Sequence, residues 1–142
     1  MKVVKDMMTT DIESCSVDSN VYEIAKKMSD KEVGSIPICD EQNHLIGMVT
    51  DRDLVVRGYA QKKAGSTPVT DVMSEELVTC EPNTSLKEAS GVMSEKQIRR
   101  LPIVDQGKLV GIVSLGDLSL DKYSNEAAGH ALEEISERPE LH

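Results

Sequence analysis

The sequence contains no phenylalanine or tryptophan and only three tyrosines. Its core must therefore be built from Val, Ile, Leu, Met and Ala. The chain also lacks the aromatic platforms on which single-stranded nucleic acids stack. No run approaches the roughly 18 consecutive apolar residues that a membrane-spanning helix needs. The opening MKVVKDMMTT is too short and polar for a secretory signal, so a soluble, cytoplasmic protein is expected. Basic residues are in the minority: 16 Lys and Arg against 25 Asp and Glu give a net charge of −9. A field of that sign repels nucleic acid, yet leaves room for a small anion held by local groups. Cysteine is sparse and odd in number. Cys15, Cys39 and Cys80 form no CxxC, which argues against a disulfide framework. Only His44, His130 and His142 could join them around a metal, and the spacing suggests no zinc site. The three read as buried, inert thiols, with a redox bond between Cys15 and Cys39 as a minor alternative. No nucleophile stands beside a plausible base and no Walker loop occurs, so catalysis is not expected.

What is present is a repeat. With an offset of 65 residues, Asp6 aligns with Asp71, Met8 with Met73, Thr9 with Ser74, Cys15 with Cys80, Glu23 with Glu88, Met28 with Met93 and Pro37 with Pro102. After a one-residue deletion near Gln42 the offset is 64, and Gly47 aligns with Gly111, Val49 with Val113 and Asp53 with Asp117. Each copy is too short to bury a good core alone, so the two are expected to pack together. The copies are placed at 1–60 and 71–122, joined by a linker at 61–70 and followed by an acidic tail at 123–142.

Within each copy the periodicity changes in a fixed order. SCSV (14–17) is a short strand. Asn20 and Glu23, like Ser85 and Glu88, fit a capping box that opens a helix. Its apolar face is Val21, Ile24, Ala25 and Met28 in copy one, and Leu86, Ala89, Ser90 and Met93 in copy two. SIPIC and RLPIV are short strands whose Pro37 and Pro102 suggest a strand start or edge. A polar turn leads to LIGMV or LVGIV, rich in branched side chains and read as a buried strand. A second helix follows, in copy one from Asp51 to about Tyr59. The order strand–helix–strand–strand–helix, twice, defines an α/β fold of two tandem repeats. In the tail, Leu132 and Ile135 lie on one side of a possible short helix.

One phrase recurs at the last strand-to-helix handover: GMVTDRD (47–53) and GIVSLGD (111–117). Thr50 with Asp53, and Ser114 with Asp117, fit a capping box that needs no ligand. Three features point further. Gly47 and Gly111 sit inside strands, where glycine often marks close approach of a ligand or another backbone. The helix start attracts anions. A carboxylate can accept two hydrogen bonds from a ribose diol. Ile36-Pro37-Ile38 and Leu101-Pro102-Ile103 could wall a flat base, although core packing is the commoner fate of such residues.

In order, twice, DMMT and DVMS, SIPI and RLPI, GMVTDRD and GIVSLGD make residues 3 to 120 resemble the CBS domain family. The chain is similar to a stand-alone tandem pair, a Bateman module. The resemblance implies two repeats packed about a pseudo-twofold axis, with clefts that bind adenosine compounds: AMP, ADP or ATP, less often NAD(H) or S-adenosylmethionine. It implies roles for Thr50, Asp53, Ser114 and Asp117 at phosphate and ribose. It points to Ile36, Pro37, Leu101, Pro102 and the regions after Thr9 and Ser74 around adenine. It further implies a disk-like homodimer, an unidentified regulated protein as partner and no required cofactor. The copies differ: Asp51-Arg52 faces Leu115-Gly116 in the alignment, and Gly34-Ser35 faces Arg99-Arg100. Two unequal sites are expected, with Arg52, Arg99 and Arg100 as candidate phosphate contacts. A structural or interaction module with empty sites is the alternative.

Overall fold

The computed structural model describes residues 2–119; the expected tail helix with Leu132 and Ile135 lies outside them. The described chain forms two compact units, and these are not the two sequence copies. One, the first unit, is Glu13–Leu77; the other, the second unit, comprises the described residues of Met1–Ile12 and Val78–His142.

The first unit begins with a two-residue strand β1 (Cys15–Ser16) and helix α1 (Val21–Lys31). Asn20 and Glu23 form the expected capping box: Asn20 Oδ1 accepts the Glu23 N–H at 2.8 Å, and Glu23 Oε1 accepts the Asn20 N–H at 3.0 Å. The helix ends at Glu32, a left-handed cap with φ 54°. Strands β2 (Ser35–Cys39) and β3 (Leu45–Thr50) then pair antiparallel, β1 adds to β2 in parallel, giving the order β1-β2-β3, and the short helix α2 (Asp51–Asp53) follows β3. Ile24, Met28, Ile36, Ile38, Val49, Val69, Val72 and Met73 make its core. Ala25 does not belong to it. Its methyl is exposed, so the apolar stripe of α1 is narrower than the 3.6-residue pattern implied.

The second unit repeats this plan. Cys80 forms a single parallel bridge to Ile103 where copy one has β1. Helix α3 (Leu86–Lys96) follows and ends at left-handed Gln97, φ 59°. Strands β4 (Arg100–Asp105) and β5 (Lys108–Ser114) form a hairpin through Gln106 and Gly107, both at positive φ, which is the geometry a two-residue turn demands. The expected box at α3 is half formed: Ser85 Oγ accepts the Glu88 N–H at 3.1 Å, while Ser85 itself is bridged to Val3. Leu86, Ala89, Ser90 and Met93 are all buried, as the periodicity predicted.

The division of the chain follows from what the head segments pair with. The head of copy one, residues 3–9, joins the second unit: Thr9 exchanges backbone bonds with Ile112 at 2.8 and 2.9 Å, and Val4 is fully buried against Leu86, Met93 and Val113. The head of copy two joins the first unit. Ser74 exchanges bonds with Met48 at 2.8 and 2.9 Å, and Val69 is fully buried beside Ile24 and Ile36. Each head thus completes the unit carrying the other copy's helix and hairpin. Burying such a valine contributes about 1.5–3 kcal/mol, so the exchange is part of what stabilises each unit.

These pairings also explain the prolines: neither starts its strand, and Pro102 lies on an edge strand of the two-stranded β4–β5 sheet whereas Pro37 does not lie on an edge strand. Pro37 sits in the middle of β2, opposite Met48, and β2 is the central strand. Met48 spends its N–H and C=O on Ser74, so the Pro37 backbone faces the other way, toward β1. There pairing begins only at Ile38, and no N–H is needed. Pro102, opposite Ile112, repeats the arrangement.

Candidate functional site

The repeated phrase lies where β3 and β5 end. In the first unit Thr50 Oγ1 accepts the Asp53 N–H at 3.1 Å and Asp53 Oδ2 accepts the Thr50 N–H at 2.9 Å. In the second, Ser114 Oγ accepts the Asp117 N–H at 3.1 Å and Asp117 Oδ2 accepts the Ser114 N–H at 3.0 Å. Both are complete capping boxes. One oxygen of each carboxylate is therefore committed to its own backbone, and one remains for other partners. Asp53 Oδ1 faces Arg57 Nε at 3.9 Å, and the Asp53 side chain is 18% exposed. Arg57 Nη1 donates to the Met73 carbonyl at 3.2 Å, linking the helix, the carboxylate and the incoming head segment. Sequence reasoning missed Arg57, although its spacing of four from Asp53 was a usable signal.

The helix after Thr50 is less regular than expected. Asp51–Asp53 is α-helical, Leu54–Gly58 takes the wider π spacing, and Tyr59–Gln61 closes as a 3-10 turn. In the second unit α4 covers Leu115–Ser119.

The glycines have a packing cause. A Cβ on Gly47 would lie 2.7 Å from Met73 Sδ and 2.9 Å from the Ser74 carbonyl oxygen. A Cβ on Gly111 would collide with Met8, including its Cγ at 2.7 Å. Of the two readings, ligand or backbone, the crossing head segment accounts for both.

Strand alternation sorts the remaining predicted residues. Ile36 and Ile38, and Leu101 and Ile103, are fully buried and belong to the two cores. A wall against a flat base is therefore not where these four side chains point. The opposite face carries the directly paired residues Ser35 with Thr50 and Pro37 with Met48 in the first unit. In the second it carries Arg100 with Ser114 and Pro102 with Ile112. The prolines and hydroxyls thus share a face with Met48 and Ile112, which the sequence reading did not single out. Thr9 lies with the second unit and Ser74 with the first. Arg52, Arg99 and Arg100 are exposed. The Ser35 hydroxyl is buried with no hydrogen-bond partner, an uncompensated polar atom on the face that holds Thr50.

Of the three cysteines expected to be buried, Cys39 is buried while Cys15 and Cys80 are half-buried. All three are free. Burial is the main cause that raises the thiol pKa of Cys15, Cys39 and Cys80. The register pairs Cys15 with Ile38 and Cys39 with Ser16, so the two cysteines point to opposite sheet faces. That geometry removes the redox bond between them. Among the described residues no cluster of three or more His, Cys, Asp or Glu is arranged to hold a metal, and no helix is long and apolar enough to cross a membrane.

Comparison with known proteins places these features in context. A family model described as "CBS domain" matches residues 4–58 and 69–120. A CBS domain-containing protein of Bacillus subtilis, YhcV, is 53% identical over 136 residues, covering 96% of each chain. Among solved structures, CBSX2 in complex with AMP superposes with a TM-score of 0.77 at 27% identity, over 89% of this chain and 99% of that one. The CBS domain pair of protein MJ0100, in complex with 5-methylthioadenosine and S-adenosyl-L-methionine, superposes with a TM-score of 0.74 at 26% identity. It covers 84% of this chain and 94% of its own.

Proposed function

The chain belongs to the CBS domain family, and from that premise we propose that it is a regulatory module sensing adenosine-containing ligands of the AMP, ADP or ATP class. The observation that carries the reading is the duplicated hydroxyl–carboxylate pair. Thr50 with Asp53 and Ser114 with Asp117 stand at equivalent strand ends, and each acid has one oxygen outside its cap. That oxygen suits a ribose hydroxyl. On the adjoining face the half-buried Met48 offers apolar contact for a base in the first unit, while Pro37, Pro102 and Ile112 are themselves buried. The buried, unpartnered Ser35 hydroxyl favours a polar ligand in the first unit. The complexes of CBSX2 with AMP and of the MJ0100 pair with adenosine derivatives support the ligand class.

In this reading the protein is not an enzyme and needs no cofactor. It works in the cytoplasm as a homodimer, and a ligand acts by binding one conformation better than another, which a partner protein reads. NAD(H) and S-adenosylmethionine are further ligands of the same chemical type. A second reading, an interaction module without ligands, has one observation in its favour: caps and crossing segments give structural reasons for both acids and both glycines.

Thermal unfolding in the presence of AMP, ADP, ATP, NADH or S-adenosylmethionine separates them. At 100 times its dissociation constant a ligand adds about 2.7 kcal/mol of stability. A rise in melting temperature with at least one compound is expected; no shift with any of the five would favour the second reading.

A further inference from the structure

We propose that Arg57 is a positioning residue of the first unit, through which a ligand held at Asp53 steadies the crossing of the second head segment over β3. The role rests on the adenosine reading above and adds how occupancy is passed on. Arg57 stands in the π-spaced stretch Leu54–Gly58 that follows α2, and such stretches recur at functional sites. Its guanidinium has two partners on different elements. Nη1 donates to the Met73 carbonyl at 3.2 Å, and Nε faces Asp53 Oδ1 at 3.9 Å. The second distance is beyond a hydrogen bond. The carboxylate charge is thus compensated while the lone pairs of Oδ1 stay open to a sugar hydroxyl.

The Met73 carbonyl is a sensitive place to hold. The next residue, Ser74, exchanges backbone bonds with Met48 at 2.8 and 2.9 Å. Met48 is half-buried and lies on the face of β3 that offers apolar contact to a base. The Met73 side chain is buried, with Sδ 2.7 Å from where a Cβ on Gly47 would be. On the helix side, a Cβ on Gly58 would lie 3.9 Å from Val72 Cγ1, so the π-spaced stretch packs on the same head segment. One guanidinium therefore ties the acid assigned to ribose to the backbone pair beneath the base. A ligand reaching from Asp53 to Met48 closes that loop. Opening the Ser74–Met48 pair then costs ligand contacts as well as its own two bonds. The repeat carries this arrangement once. Met8 aligns with Met73, but with the 64-residue offset Arg57 aligns with Asp121, which when ionised has no N–H to give a carbonyl.

Calorimetric titration of the full chain with AMP and with adenosine, together with amide hydrogen exchange at Ser74, tests this. The first unit's binding equivalent is the one that Asp53→Ala removes. In wild type, saturating ligand is expected to slow exchange of the Ser74 amide. Arg57→Met should weaken that equivalent about three- to tenfold, alike for AMP and adenosine, and abolish the slowing at saturation. Arg57→Lys keeps a cation beside Asp53 but has no fork to span both partners. It should keep the fold and still lose the Ser74 response, and it decides the matter if Arg57→Met unfolds. Affinity within about twofold of wild type, with the Ser74 response intact, overturns the role. So does a loss confined to AMP, which would make Arg57 a direct phosphate contact. If wild type binds but Asp53→Ala keeps every equivalent, the positioning role falls while adenosine binding stands. Silence of the wild type toward both compounds overturns both.

Discussion

Replacing Gly47 by alanine tests the crossing of the head segment at its tightest point. The added Cβ meets the Ser74 carbonyl oxygen at 2.9 Å and Met73 Sδ at 2.7 Å, with Met73 Cγ at 3.2 Å. The thioether can swing aside, but the carbonyl cannot, because it accepts the Met48 N–H at 2.9 Å. Forcing a methyl into such a contact costs about 1–3 kcal/mol. Alanine recovers about 0.5–1 kcal/mol through the lower entropy of its unfolded chain. A net loss of about 0.5–2 kcal/mol is therefore expected, read as a lower urea midpoint at unchanged m-value. Gly111→Ala supplies the control. Its close contacts are all with the half-buried Met8 side chain, so Met8→Ala should relieve much of its cost, whereas Met73→Ala should leave the Ser74 clash in Gly47→Ala. A Gly47→Ala protein as stable as wild type would refute the close crossing.

Three other outcomes follow from the same coordinates. Ser90 is 2% exposed with a buried hydroxyl that has no partner; Ser90→Ala should raise the melting midpoint by the equivalent of about 1 kcal/mol, combining lost desolvation cost and better helix propensity, and a loss of stability would contradict this. Asp40 Oδ1 accepts the His44 N–H at 2.8 Å and the Gln42 N–H at 2.9 Å, and the His44 bond is the main cause holding its carboxyl below the usual range. A depressed carboxyl stabilises the fold above its unfolded-state value and loses that contribution as pH falls through the folded one; Asp40→Asn should therefore flatten the acid side of the stability–pH curve, and an unchanged acid limb would count against the turn. The raised thiol pKa values of Cys15, Cys39 and Cys80 leave little thiolate at neutral pH; alkylation should be slow in the native protein, and three thiols should be counted after denaturation of an air-oxidised sample, where a count of one would restore the Cys15–Cys39 bond.

Much of the fold was legible because repeats and caps are local signals. The aligned pairs gave both helices and both hairpins, and the spacing of Asn20 and Glu23, Thr50 and Asp53, and Ser114 and Asp117 gave boxes that form as read. What was hidden is long-range. Nothing near DMMT indicates that Thr9 pairs with Ile112 rather than with its own copy, since the contact is a single bridge across about a hundred residues. The roles of Gly47, Gly111 and the two prolines followed from that same pairing. Ala25 and Ser90 show the limit of hydropathy: they are aligned positions, yet the alanine is exposed and the serine buried. At the site, the sequence left Ile36, Ile38, Leu101 and Ile103 between a wall for a base and the core, with the core the commoner fate, and the structure puts all four in the cores; proline had obscured the two-residue period of SIPIC and RLPIV.

The central claim is that the two capping acids also hold ribose, and the stoichiometry of adenosine-ligand binding in Asp53→Ala and Asp117→Ala tests it most directly. Loss of a cap costs only about 0.5–2 kcal/mol, so both proteins should remain folded. Each is predicted to lose one binding equivalent of those the wild type takes up. Wild-type stoichiometry and affinity in both variants would reduce Asp53 and Asp117 to caps and contradict the account.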